Sequence, residues 1–189
     1  MAVIWAIGAG IGLSVLAGSR SFIPLAIFVL FARLGWIWGF RIEGTPFDFM
    51  LSNGAVVVIV ALVVFEILLT RLPALIKIST FLRLPIAVIA GALLLAATMS
   101  AEISNPARFL GIPGGVLLAL LGFYVHQGLV FAGEGADPGP ALDSALIVLA
   151  ILMMVVPPAG YAVVLVAAWL AWRVRRLKRL KYKGLRVLA

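Results

Sequence analysis

From Met1 to Ala32 the chain carries one charged side chain, Arg20, among residues that are otherwise apolar or small. As a single helix this stretch would be about 50 Å long, against a bilayer hydrocarbon core of roughly 30 Å. It must therefore tilt, break or protrude. Gly18, Ser19, Ser21 and Pro24 mark the break, because proline removes a helix hydrogen bond. The guanidinium needs a partner as well, since a charge at the bilayer centre costs about 2.5–3.5 kcal/mol on insertion scales.

The rest of the chain has the same character. Of its 189 residues, 65% are hydrophobic and 12% charged, and the mean hydropathy is +1.23. A soluble domain is about half apolar and a quarter charged, so the composition argues against a soluble enzyme, a disordered tail and a fibrous repeat. Cysteine is absent, which excludes disulfides, a thiolate nucleophile and a Cys metal site. His126 is the only histidine, so two-histidine metal or haem ligation within one chain is excluded, and no cofactor is expected. Eight of the fifteen basic residues lie between Arg173 and Arg186, directly after an apolar run. There they read as a topology signal and an anionic-lipid contact, with Arg173, Arg175, Arg176, Lys178 and Arg179 nearest the headgroups, and not as a nucleic-acid surface. The N-terminal run has no preceding basic residues, so it reads as a membrane segment instead of a signal peptide.

These runs predict an all-α, polytopic transmembrane bundle of about six spans over residues 1–172, followed by a basic tail over 173–189. The broken first segment is span one, and Gly54 to Thr70 is span two. Arg71 to Arg83 reads as an interfacial turn or short surface helix, and Leu84 to Ala101 as span three. Phe109 to Gly133 is span four. Ser144 to Trp172 is uncharged for 29 residues, and Val156-Pro157-Pro158-Ala159-Gly160 divides it into a hairpin of two short spans in preference to one helix of about 44 Å. Trp36, Trp38, Phe40, Phe47 and Phe49 in the first long loop, and Trp169 and Trp172 before the tail, suit the membrane–water interface. An even span count with a cytoplasmic tail places both termini in the cytoplasm, in an inner-membrane setting. A three-plus-three inverted repeat would pair Arg20 after Gly18 with His126 after Gly122.

The stretch Ala17-Gly18-Ser19-Arg20-Ser21-Phe22-Ile23-Pro24-Leu25 resembles a bacterial family of small integral membrane proteins, catalogued as domain of unknown function 4126. Glu66 followed by Arg71-Leu72-Pro73, with Arg83 and Gly91 beyond, is similar again. So is Asp137-Pro138 leading into Leu142-Asp143-Ser144-Ala145. The chain departs from the family pattern at Thr70-Arg71, where an Asp-Lys pair is common, and at Leu142-Asp143, where a Glu-Asp pair is common. Both departures remove an acid. The resemblance implies a helical membrane fold and brings no reaction with it.

Arg20 is the most informative position, with Glu66 and Asp143 as candidate partners. Such a group reads either as an anion or substrate site between helices or as an ion pair locking spans together. His126 with Gln127 reads either as a proton relay or as one interhelical hydrogen bond. Ser14, Ser19 and Ser21 either line a polar path or bond helix carbonyls, and Gly8, Gly10, Gly12 and Gly18 have the spacing of close helix contacts. No nucleophile–base order, carboxylate pair or metal motif emerges, so no enzymatic activity is expected. Two functions remain: a small transporter or permeation pathway built on the buried Arg/carboxylate site, or a non-catalytic subunit or assembly factor of a larger membrane complex, including a homo-oligomer.

Overall fold

The computed structural model describes residues 2–35, 42–71, 76–103, 107–132 and 139–185. Among these residues the chain is all-helical, with no strand. Its helices are α1 (Ala2–Ser19), α2 (Phe22–Leu34), α3 (Asn53–Arg71), α4 (Ile76–Ser100), α5 (Gly111–Ala132), α6 (Gly139–Val155) and α7 (Ala159–Leu185). Short 3-10 turns at Asp48–Leu51 and Ala107–Leu110 lead into α3 and α5. Two segments, Leu82–Ser100 and Gly111–Phe131, are long and apolar enough to cross a membrane. The other apolar helices, such as Phe22–Leu34 and Ala141–Val155, are shorter.

Small residues decide how these helices meet. α1 is the central post and packs against α2, α4, α5, α6 and α7. A β-carbon at Gly12 would lie 2.7 Å from the Gly160 Cα of α7, and one at Gly8 would lie 2.7 Å from the Pro157 carbonyl oxygen. Gly18 faces Ala119, Gly122 and Phe123 of α5, and Gly10 faces Leu95 and Thr98 of α4. Gly91 of α4 meets Gly115 of α5. The expectation that these glycines are helix contacts holds, and backbones without side chains between them gain dense dispersion contact. The Ser14 hydroxyl, buried, donates to the Gly91 carbonyl at 2.9 Å, so it ties α1 to α4.

These pairings also fix direction. Residues 8 and 12 match 157 and 160, and residues 15 and 18 match 119–123, so α1, α5 and α7 run parallel. α4 runs against them, with Thr98 beside Gly10 and Gly91 beside Ser14. α6 also runs antiparallel to α1, since Asp143 reaches Arg20 and Met153 reaches Gly12. α2 packs along α6, which requires it to turn back from α1 at Arg20-Ser21.

Several expectations change as a result. The broken first span is two helices, so Ala2 and the basic end of α7 lie at opposite ends of the bundle and not on one face. An inverted repeat would set α1 and α5 in opposite directions, but Gly18 and Gly122 meet on parallel helices. From Ile76 onward, the expected surface turn is already α4, which contains Pro85 in its interior. Phe47 is core, while Phe49 is exposed; Trp36, Trp38 and Phe40 fall outside the described residues. The turn at Val156-Pro157-Pro158 does separate α6 from α7 as expected, and α7 then continues without interruption past Trp172 into the basic segment.

Candidate functional site

A helix that stops inside a bundle leaves backbone N–H and C=O groups without intrahelical partners, and in a water-poor setting these must be satisfied by other means. Between α1 and α2 the means come from two other helices. The Glu66 carboxylate of α3 accepts from the Ser21 N–H at 2.7 Å through Oε1 and from the Phe22 N–H at 2.9 Å through Oε2. It thereby caps the start of α2 with a negative charge, the sign the helix N-terminus favours. Pro24 has no N–H, so the third residue of α2 needs no cap. At the other side of the break, the Arg83 guanidinium of α4 donates to the Ser19 carbonyl at 2.9 Å and covers the C-terminal end of α1 with positive charge.

Arg20 sits between these caps. Its side chain is 2% exposed, and its Nε donates to Asp143 Oδ1 of α6 at 2.7 Å. The Arg20 and Arg83 guanidiniums both lie near enough to Glu66 to interact with it electrostatically. The cluster therefore holds two cations and two carboxylates, which balance. A cavity of about 30 Å³ adjoins it, lined by Ser21, Phe22, Glu66, Leu69, Arg83 and Ile86 among others. That is room for about one water.

Arg20, Glu66, Asp143, Ser19 and Ser21, all site candidates on sequence grounds, come together in the structure. The role of Glu66 differs from the expected one, because its two oxygens bond backbone N–H groups and it faces Arg20 only as a neighbouring charge. Arg83 was missed as a site residue. Its place two residues before Pro85 drew it into a predicted surface turn, and capping of a carbonyl 64 residues away leaves no local pattern. His126 is 1% exposed and sits deep in α5, one turn beyond Gly122, while Gln127 beside it is half-buried.

Arg20 is level with Arg83 of α4, and α1 ends there. By the parallel register of α1 and α7 the same level falls near Trp169. At that end of α7, Arg173 stands over the Trp169 ring at 5.4 Å from its centroid, and Arg176 stands over Trp172 at 3.8 Å. Both tryptophans are about half exposed. Arg175 is exposed as well; Lys178 and Arg179 belong to α7. No group of three or more potential metal ligands occurs among the described residues.

The fold and site define a class: a helical bundle around an interrupted first helix, its break closed by long-range charged caps. The chain belongs to the family described as Domain of unknown function (DUF4126), whose model matches residues 7–133. That range holds Arg20, Glu66 and Arg83, while Asp143 and the motif around it lie beyond it. No curated protein and no solved structure matches the chain.

Proposed function

We propose that this chain is a multi-pass membrane protein acting as a non-catalytic component of a membrane assembly, and that the Arg20 cluster is its internal lock. The single observation that carries the reading is where the charges are used. Glu66, Arg83 and Asp143 each bond the break or Arg20, from three different helices. A permeation pathway needs polar space beside such groups; the cavity beside Glu66 admits about one water, and the larger groove that reaches Ser19 is lined almost wholly by apolar residues. Exposed Val57, Val58, Val60, Val64, Phe65 and Leu68 along α3 suit lipid or another helix.

In this reading the basic end of α7 is cytoplasmic by the positive-inside rule. The C-terminal end of α3, at Arg71, and the N-terminal end of α4, beside Lys77, lie at that same end, so two basic segments agree. The N-terminus of α1 then faces the opposite side. Trp5 near one end of α1 and Trp169 and Trp172 near the other end of the bundle serve as interfacial belts.

The chain has no cysteine, so single introduced cysteines report without background. In sealed vesicles, Ser21→Cys is expected to resist membrane-impermeant thiol reagents from both sides, and crosslinking in native membranes is expected to capture a second membrane chain. Labelling of Ser21→Cys that alternates between the two sides would replace the lock with the transport reading. Recovery of the protein only as a lone monomer would remove the assembly role.

A further inference from the structure

α6 and α7 follow one another across a tight turn yet barely touch, and α5 and α6 do not meet among the described residues. The space they leave is a groove of about 400 Å³ that opens on the side of the bundle. Its floor is α1, through Val15, Leu16 and Ser19, and its walls include Leu146, Val163 and Val166. Its α7 wall runs from Ala159 to Leu170, about 17 Å at 1.5 Å per residue. That is close to one leaflet of a hydrocarbon core roughly 30 Å thick. Helical spacing puts Arg173 three residues past Leu170 on the same face, at the groove's basic end. Arg173 is exposed and stands over Trp169, which flanks that face. The groove is thus an apolar slot of one leaflet's depth with a cation at one mouth.

We propose that this groove holds one acyl chain of an anionic phospholipid, with its phosphate at Arg173. The inference rests on the membrane reading above and adds a ligand class to it. A lipid tail here is no ordinary boundary contact, because it reaches through the wall of the bundle to α1 and touches helices that otherwise leave each other unpacked. The apolar lining supplies the affinity for the chain, and Arg173 supplies the choice of headgroup. An arginine presents a planar fork that suits phosphate oxygens. One such cation near an anionic headgroup is worth up to about 1 kcal/mol, a factor of about five in preference.

The test uses the full chain reconstituted in vesicles of equal phosphatidylglycerol and phosphatidylcholine, then extracted in mild detergent and weighed by native mass spectrometry. One retained phosphatidylglycerol per chain is expected. Ala162→Phe, which fills the groove, should abolish retention, and Val166→Trp gives an independent second filling. Arg173→Gln should keep a lipid bound but reduce the preference for phosphatidylglycerol about fivefold. Equal retention in both filled variants, each shown to be folded by its circular dichroism, would overturn the groove as the site. A preference unchanged in Arg173→Gln would overturn the headgroup assignment. Flotation with the vesicles after alkaline washing separates the two levels: a protein that washes off refutes the membrane reading, whereas one that floats without retained lipid refutes this inference alone.

Discussion

The chain interrupts its helices tightly in two described places, and the two interruptions are built in opposite ways. At Val156-Pro157-Pro158 every described repair is local. The Val156 N–H donates to the Leu152 carbonyl, Ala159 to Val156, Gly160 to Pro157 and Tyr161 to Pro158, at 2.7 to 3.1 Å. At Arg20-Ser21 only the Arg20 N–H finds a nearby carbonyl, that of Leu16, at 3.1 Å. The next two N–H groups depend on Glu66, and Arg83 and Asp143 complete the site. The proline turn is therefore a property of the ten consecutive residues from Leu152 to Tyr161. The arginine break is a property of the whole bundle, and it exists only when α3, α4 and α6 are in place.

Substitutions should separate the two. Glu66→Leu removes both caps of α2 and leaves Arg20 and Arg83 short of one negative charge. Breaking a buried charged group in this way costs about 3–5 kcal/mol, so the largest fall in thermal stability in detergent is expected here. A smaller loss than at the proline turn would break the comparison. Asp143→Asn keeps an acceptor for Arg20 but removes its charge, and a loss of about 1–3 kcal/mol is expected in the same measurement. The double variant Arg20→Met, Asp143→Leu sharpens the distinction, because apolar replacement of a whole buried pair is often near neutral. It should recover most of the stability lost by Asp143→Leu alone, and failure to recover would show that Arg20 does more than pair.

Gly122→Ala tests the post itself. A β-carbon there would overlap the Val15 carbonyl oxygen, which is backbone and cannot rotate away. Forcing α1 and α5 apart should cost about 1–3 kcal/mol, read as a lower unfolding temperature. The smallest effect belongs to the local turn. Pro158 is exposed, and Pro158→Ala keeps its carbonyl for Tyr161, so a change of no more than about 1 kcal/mol is expected.

The same contrast explains what the sequence disclosed. The proline turn, the glycine contacts and the position of the first break were legible because each is written in adjacent or helically spaced residues. Arg20 was legible because a lone cation in an uncharged run must be accommodated. Direction was not. Counting Met1 to Ala32 as one span gave the right place for the break and the wrong consequence, since α2 turns back and reverses the parity of everything compared with the N-terminus. Arg83 was lost for a related reason: α4 starts before its proline, and a proline close to a helix start reads more readily as a boundary. Phe47 went to the core instead of the interface because an aromatic ring suits both environments, and only the packing of the loop decides between them.

One consequence concerns the order of synthesis. Arg20 leaves the ribosome 123 residues ahead of Asp143, and Ser21 precedes Glu66 by 45. During that interval the first two helices must enter their surroundings with an uncompensated guanidinium and two bare amides at the bend. The nascent hairpin is consequently a provisional structure, held open until later helices arrive to seal it. On the membrane reading proposed above, truncations ending before residue 143 should therefore be retained by the insertion machinery or its chaperones, and extension through α6 should release them.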